Sequence, residues 1–198
     1  LMYMTGHGGD EFFKFHDTQE ISSQDMGYLL RDMYAKNRYK EVLLIVDTCQ
    51  ASTFSNHIDV PGVYTLTSSV QGENSYAHDT NVDLAMAVSD RFTHSLVEYL
   101  QRKGERRKKK GTEVGAMDSS LQDLAHSFDR RFLYSTATLQ VSPGSKRRPV
   151  DIALRDFFTY TSRSACGNTT SWTRMKHGAL TLETTEKNGK KKDPISFE

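Results

Sequence analysis

An uninterrupted apolar run, Val42–Val46, constrains the fold of this 198-residue chain more than any other sequence feature. Five apolar residues without polar alternation are typical of a strand that is covered on both faces of a parallel sheet. A second apolar stretch, Leu1–Met4, opens the chain and predicts the end of another buried strand. Between them, apolar side chains recur at helical spacing over roughly residues 23–37, with Ser22 or Ser23 as the cap. Strand, helix and strand in this order predict a βαβ unit with parallel strands, and hence an α/β fold.

Shorter patterns predict the remaining elements. These are a hairpin over residues 12–16, a third strand over Val63–Thr67, a helix over residues 84–100, a short helix over Leu121–Phe128 and a last strand over Leu133–Ala137.

Composition excludes several classes of function. With 26 basic and 25 acidic residues the net charge is +1, which argues against a general nucleic-acid binder. The sequence contains no apolar run of about 18 residues, so it predicts no transmembrane helix within these residues. The two cysteines, Cys49 and Cys166, form neither a disulfide framework nor a zinc-ligand spacing. We therefore predict neither a metal nor a cofactor.

Positive charge is concentrated in the segment Gln101–Gly111, which has seven basic residues and no apolar period. We predict that this basic insertion is solvated or disordered, as is the polar tail from about Thr184 with its lysines at 190–192. The alternative is a patch that binds anionic lipid head groups or phosphates.

Two short motifs carry the chemistry. His7 lies in Thr5–Asp10, directly after the first apolar stretch, and Cys49 lies in Val46–Ala51, at the end of the second. Neighbouring parallel strands lie about 4.8 Å apart and end at the same sheet edge, so their loops can bring an imidazole beside a thiol. A thiol with an ordinary pKa of about 8.5 needs such a base before it attacks a carbonyl. The pair predicts a cysteine-nucleophile enzyme.

The glycines after His7 suit an oxyanion site. Gly8 allows the backbone to approach a substrate and to turn an N–H group toward it, and the N–H of Cys49 is the natural second donor. Several alternatives remain: a buried structural cysteine, a phosphate-binding loop, or a base role for His57 or His78, which lack flanking glycines.

Four sequence blocks together resemble the family of catalytic subunits of glycosylphosphatidylinositol (GPI) transamidase. They are Tyr3–Phe12, Val46–Ala51, Gly72–Tyr76 and Asp90–Thr93. That family belongs to the legumain-like clan of caspase-fold cysteine peptidases. The resemblance implies a three-layer α/β/α sandwich with a mostly parallel sheet and with His7 and Cys49 as the catalytic dyad.

Analogy with the legumain clan also implies a substrate pocket after the third strand. Its candidate residues are Ser68, Ser69, Glu73 and Asn74, with Asp79 and Asp83 as weaker candidates. The ordinary alternative for the two serines is a strand-to-loop turn.

The resemblance further implies an enzyme of the endoplasmic reticulum lumen, held at the membrane by the other subunits of a complex. It would cleave the C-terminal signal of a proprotein through a thioester on Cys49 and pass the protein to the ethanolamine amine of a GPI lipid. Residues 1–160 would be the C-terminal part of the peptidase domain, without its early strands, and residues 161–198 a partly disordered extension. The alternatives are a legumain- or metacaspase-like endopeptidase and a non-catalytic caspase-fold scaffold.

Overall fold

The structure is a computed structural model that describes residues 1–16, 18–81, 86–110, 118–158, 170–171 and 183–184. Contacts divide the chain into two units, Leu1–Thr159 and Tyr160–Glu198. The predicted boundary at residue 160 and the predicted character of residues 161–198 stay predictions, because most of that segment lies outside the described residues.

The first unit contains nine strands and five α-helices among its described residues. The strands are β1 (Met2–Thr5), β2 (Gly8–Gly9), β3 (Phe12–Phe15), β4 (Gln19–Ser22), β5 (Val42–Asp47), β6 (Val63–Thr67), β7 (Ala77–Asn81), β8 (Met86–Asp90) and β9 (Thr138–Val141). The helices are α1 (Ser23–Ala35), α2 (Arg91–Lys110), α3 (Leu121–His126), α4 (Arg130–Leu133) and α5 (Arg155–Phe158), with 3₁₀ turns at Ala51–Ser55 and Pro149–Asp151.

The central sheet has the order β1-β5-β6-β9. Strands β1, β5 and β6 are parallel, and β9 runs antiparallel to β6. The predicted βαβ unit and the mostly parallel sheet are therefore confirmed. The predicted hairpin is confirmed as part of an antiparallel three-stranded sheet of order β2-β3-β4.

Helices cover both faces of the central sheet. Alternate residues of β5 point to opposite faces, so that Leu44 packs with Leu30 of α1 while Leu43 packs with Phe92 of α2 and Leu124 of α3. Every residue of β5 is buried. Each buried leucine or isoleucine side chain contributes about 1.5–3 kcal/mol to folding, so this strand forms the centre of a three-layer α/β/α arrangement.

Helix α1 begins where its sequence predicts. Ser22 is the N-cap, its side chain accepts the N–H of Asp25, and the Asp25 carboxylate accepts the N–H of Ser22 in return. The hydrogen bonds from Ser22 lower the pKa of Asp25 below its ordinary value. This capping box fixes the point at which the chain leaves β4 for the helix.

The segment before α2 differs from its prediction. Residues 86–90 form β8, which pairs antiparallel with β7, and the helix begins at Arg91 rather than near residue 84. A short apolar run is compatible with both the helical period of 3.6 residues and the strand period of two. Pairing with β7 makes this segment a strand. The helix then continues to Lys110, so the backbone of the basic segment is helical through that residue, which its lack of an apolar period did not predict.

The predicted last strand over Leu133–Ala137 is also wrong. Leu133 ends α4, and the strand is β9, which starts at Thr138. The Asp129 side chain caps α4 by accepting the N–H of Arg131, and Tyr134 adopts a left-handed conformation that ends the helix. A polar cap and a local helix therefore replace the expected strand.

Strand β1 is less buried than predicted. It is an edge strand of the described sheet, and Leu1 and Tyr3 are 53% and 42% exposed. None of the described helices has both the length and the apolar character that a membrane span requires.

In the second unit, the described residues form one antiparallel pair, β10 (Thr170–Ser171) with β11 (Glu183–Thr184). Cys166 lies outside the described residues.

Candidate active site

Strand register brings the two motifs to the same edge of the sheet. Thr5, the last residue of β1, pairs with Asp47, the last residue of β5. The N–H of Gly6 donates to the Asp47 carbonyl at 3.1 Å, which extends the pairing by one residue. His7 and Cys49 each follow two residues after the last strand pair, on adjacent parallel strands about 4.8 Å apart. The dyad assignment itself stays a prediction that this register supports.

The two loops touch at Gly8. A Cβ atom at this position would lie 2.6 Å from Thr48 Oγ1 and 2.7 Å from the carbonyl oxygen of Phe12. Both distances are shorter than carbon–oxygen contacts allow, and the Phe12 oxygen belongs to the backbone. Gly8 is therefore the residue that lets the His7 loop lie directly against the Cys49 loop.

We expect Gly8→Ala to destabilise the protein by about 1–3 kcal/mol, the usual cost of overpacking, and to slow alkylation of Cys49 by iodoacetamide. The reason is that the added methyl group must push the His7 loop away from Thr48. Gly9→Ala is the matched control, because the three atoms nearest to its Cβ would be ring carbons of Phe12, a side chain that can shift. Equal effects of the two substitutions on Cys49 alkylation would contradict this account.

Cys49 occupies a sharp turn between β5 and a 3₁₀ turn. It is a free, half-buried cysteine, and Gln50 beside it has a left-handed backbone with φ of 53°. Such a conformation is unusual for a residue other than glycine and is typical of functional loops.

Neighbouring backbone donors in this turn are occupied. The N–H groups of Thr48, Gln50 and Ala51 donate to Ser68 Oγ, the Glu73 carbonyl and Ser69 Oγ. The N–H of Cys49 donates to no group in the described part of the chain. A donor left open beside the nucleophile is what an oxyanion site requires, which supports the predicted role of this N–H group.

Ser68 and Ser69 hold the nucleophile loop. Both are fully buried, and their hydroxyls donate to the Thr48 carbonyl at 3.1 and 2.8 Å. Their side chains therefore fix the backbone beside Cys49. Contact of these two residues with a substrate stays a prediction.

Glu73 links three segments, and Asn74 beside it is exposed. The Glu73 carboxylate accepts the N–H of Thr136 at 2.6 Å and its hydroxyl at 2.9 Å, and Arg130 lies 3.3 Å away. Burial raises the pKa of Glu73, but the hydrogen bonds from Thr136 and the Val70 N–H, together with the charge of Arg130, outweigh it and bring the pKa below its ordinary value. Its carbonyl holds the N–H of Gln50, so Glu73 supports the nucleophile turn; a substrate-binding role for Glu73 or Asn74 stays a prediction.

The competing histidines have other partners. His57 Nδ1 lies 2.8 Å from the hydroxyl of Ser23, at the start of α1. His78 lies in β7 and its ring stands 3.8 Å from that of His94 in α2. Of the weaker pocket candidates, Asp79 is also in β7 and Asp83 lies outside the described residues.

Sequence analysis missed a buried carboxylate at the base of the site. Asp47 is fully buried; it accepts the hydroxyl of Ser75 at 2.7 Å and both the N–H and the hydroxyl of Thr93 at 3.2 and 2.6 Å. The N-terminal end of α2 thus compensates the charge of Asp47. Its sequence signal is a lone acidic residue that ends an all-apolar strand, within the same motif as Cys49.

Comparisons with known proteins place the chain in a family. The sequence model of the peptidase C13 family matches residues 1–114. The GPI-anchor transamidase of Schizosaccharomyces pombe is 39% identical over 80% of this chain and 39% of its own length. That of Saccharomyces cerevisiae is 37% identical over 80% of this chain and 36% of its own length. The human GPI-anchor transamidase is 31% identical over 80% of this chain and 37% of its own length.

This chain therefore spans well under half the length of these relatives. The matched region nevertheless contains both loops at the sheet edge, the serines that hold the Cys49 loop and the start of α2. Because the family model covers more than half of its residues, the chain belongs to the peptidase C13 family.

Proposed function

We propose that this chain supplies the catalytic dyad of a GPI-anchor transamidase, with Cys49 as nucleophile and His7 as general base and acid. The observation that carries the proposal is the register that sends both loops from adjacent strands, in a chain 39% identical to a GPI-anchor transamidase. The intact pair argues against a non-catalytic scaffold, since a scaffold needs neither side chain.

The first half of the proposed reaction cleaves a peptide bond. His7 takes the proton of the Cys49 thiol, and the thiolate forms a carbon–sulfur bond to the scissile carbonyl. The N–H groups of Gly8 and Cys49 bind the resulting oxyanion. When it collapses, the carbon–nitrogen bond breaks, His7 returns the proton to the leaving amine, and the protein remains as a thioester on Cys49.

The second half transfers the protein to an amine. The ethanolamine amine of the GPI lipid attacks the thioester carbonyl and gives its proton to His7, a carbon–nitrogen bond forms, and the carbon–sulfur bond breaks. Cys49 leaves as a thiolate and is protonated again. No oxidant or reductant is needed.

Water and an amine can both resolve the thioester, so the acceptor decides the outcome. An amine prevails when the site excludes water and holds the amine in line with the carbonyl, because well-oriented groups reach effective concentrations of about 10⁵–10⁸ M. In this proposal the other subunits and the bound lipid contribute that exclusion.

The proposal also includes location and partners. The protein works in the lumen of the endoplasmic reticulum, at the membrane, with further transamidase subunits, proproteins that carry a C-terminal GPI signal, and the GPI lipid. The transamidase names of its relatives support a multi-subunit complex at this membrane.

Hydrazine distinguishes transfer from hydrolysis. We expect the full-length protein in its complex, given a proprotein and hydrazine, to release that protein with a C-terminal hydrazide at the cleavage site, because the small amine captures the thioester. Mass spectrometry of the released C-terminus measures the product, and Cys49→Ala is the control that should form none. If the complex releases only free acid in the presence of both GPI lipid and hydrazine, a legumain-like endopeptidase replaces the transamidase.

A further inference from the structure

Thr48 lies directly before the proposed nucleophile Cys49 and has a buried hydroxyl. The residue is 1% exposed, and its Oγ1 has no hydrogen-bond partner in the part of the chain that the structure describes. A buried hydroxyl without a partner lowers the stability of the folded state, and such groups are rare in native proteins. Its position next to the nucleophile points to a use in the reaction.

The backbone of Thr48 is held too firmly to turn toward another partner. Its N–H donates to Ser68 Oγ at 3.2 Å, and its carbonyl accepts the hydroxyls of Ser68 and Ser69 at 3.1 and 2.8 Å. On the other side, the Thr48 side chain meets Gly8, where a Cβ atom would lie 2.6 Å from Oγ1 and 3.1 Å from Cγ2. The hydroxyl is therefore fixed in the contact between the two loops of the site.

Gly8 is also a residue whose N–H the proposed reaction uses. The N–H of Lys14 donates to the His7 carbonyl at 2.9 Å, and the strand register pairs Gly8 with Phe13. In an antiparallel ladder this arrangement makes Gly8 and Phe13 a non-hydrogen-bonded pair, so the Gly8 N–H points away from β3. No group among the described residues accepts it. The N–H groups of Gly8 and Cys49 are thus both open, as an oxyanion site requires.

The Phe12 carbonyl can accept the Thr48 hydroxyl. Its oxygen would lie 2.7 Å from the same Gly8 Cβ position that is 2.6 Å from Thr48 Oγ1, so the two oxygens flank Gly8. In the β2-β3 ladder the Phe12 carbonyl accepts the N–H of Gly9, which leaves one of its two lone pairs open. A small approach of this hairpin to Thr48 forms a hydrogen bond beside Gly8.

A second threonine in the same region has a paired hydroxyl. Thr53 Oγ1 accepts the N–H of Glu11, at the tip of the hairpin, and donates to the Gln50 carbonyl in the nucleophile turn, both at 2.8 Å. The contact between hairpin and turn can therefore satisfy a threonine hydroxyl. In the resting protein it satisfies that of Thr53 and leaves that of Thr48 open.

We infer that Thr48 is a positioning residue of the oxyanion site: its hydroxyl donates to the Phe12 carbonyl when the oxyanion draws in the Gly8 N–H, and the new hydrogen bond holds that N–H in place. The inference rests on the thiolate chemistry proposed above. Thr48 touches neither substrate nor the reacting atoms and acts through Gly8. Because its hydrogen bond forms with the tetrahedral intermediate, it stabilises that intermediate and not the resting protein.

Acylation and alkylation of Cys49 separate the oxyanion site from the thiolate. Both reactions need the thiolate, but only acylation by a proprotein passes through an oxyanion, whereas alkylation by iodoacetamide does not. Both rates are measured in the full-length protein within its complex, for the wild type and for Thr48→Val, which keeps the branched shape and loses the hydroxyl. We expect single-turnover acylation to slow about tenfold with little change in KM or in alkylation, because one hydrogen bond specific to the intermediate is lost.

Thermal denaturation separates this role from a structural one. Thr48→Val should melt at the wild-type temperature or above it, because a methyl group replaces an unpaired buried hydroxyl. Thr53→Val is the matched control and should lower the melting temperature, since it removes a hydroxyl that is already paired. Equal losses of stability in the two variants would show that the Thr48 hydroxyl has a partner in the resting protein, and would overturn the inference.

The rates can also contradict the inference. Unchanged acylation in Thr48→Val, or equal slowing of acylation and alkylation, would overturn it. If this variant does not fold, Thr48→Ser and Thr48→Ala replace it, because they differ from each other only in the hydroxyl. Relative to alkylation, the serine variant should acylate about tenfold faster than the alanine variant, and equal ratios would again overturn the inference.

Product analysis keeps this inference apart from the proposed function. A thioester on Cys49 is common to a transamidase and a peptidase, so the effect of Thr48→Val on acylation does not depend on the acceptor. Slower acylation in this variant, with free acid as the sole wild-type product in the presence of GPI lipid and hydrazine, would leave the role of Thr48 in place and reject the transamidase. A hydrazide product with unaffected acylation in Thr48→Val would do the reverse.

Discussion

Cys49→Ala is expected to abolish GPI attachment by the full-length protein in its complex while the fold remains intact. Every covalent step of the proposed reaction uses the Cys49 sulfur, and alanine cannot replace it. The fold should survive because the Ser68 and Ser69 hydroxyls donate to the Thr48 carbonyl and the Glu73 carbonyl accepts the N–H of Gln50, which together hold the backbone of the turn. Cys49 belongs to neither hydrophobic cluster, so the free energy of unfolding should change by only about 0.5 kcal/mol.

Attachment is measured as the fraction of a reporter proprotein that acquires the lipid, and folding by thermal denaturation. Cys166→Ala is the control and should retain attachment. A thiol-directed probe should label Cys49 and not Cys166 when the modified peptides are identified by mass spectrometry. Normal attachment by Cys49→Ala would refute the assignment of the nucleophile.

His7→Ala should lower the rate of thioester formation by about 10²–10⁴-fold, the range that a positioned general acid–base contributes. Without the imidazole, Cys49 is mostly protonated at neutral pH and the leaving amine has no proton donor. Single-turnover measurement of the acylated protein reports this step separately from substrate binding and transfer.

His57→Ala is the matched control for the His7 variant. It removes an imidazole that contacts Ser23, so it should cost stability of about 1 kcal/mol and leave the acylation rate nearly unchanged. The opposite result, with His57 essential and His7 dispensable, would transfer the base role to His57.

Local physics explains which elements the sequence predicted correctly. The strands predicted at residues 42–46 and 63–67 and the serine cap of α1 are confirmed, because hydrophobic patterns and cap hydrogen bonds depend on residues that are close together in the sequence. The predictions for residues 86–90 and 133–137 were wrong because pairing with β7 and the side-chain cap at Asp129 decide those segments. Neither interaction changes the hydrophobic pattern of its own segment.

The candidate site also has a part that the sequence predicted and a part that it did not. His7, Cys49 and the adjacent glycine stand in motifs whose residue types already predict thiolate chemistry. The contacts that support them join residues far apart in the chain: Thr5 with Asp90, Asp47 with Thr93, and Glu73 with Thr136. Nothing in the local sequence of either partner indicates the other.

By itself, the sequence determined the α/β class of this protein, the strands at its centre and the two motifs that end them, because burial on both faces and reactive side chains at strand ends leave local patterns. Only the tertiary structure decided how the site is held. Because Thr5 pairs with Asp47, the strand register places His7 and Cys49 each two residues beyond the same pair. The buried serines fix the nucleophile turn. The junction of β8 and α2 brings Asp90 and Thr93 to the same edge of the sheet. These arrangements depend on which strands become neighbours, and that is settled by the burial of the whole sheet rather than by any one segment.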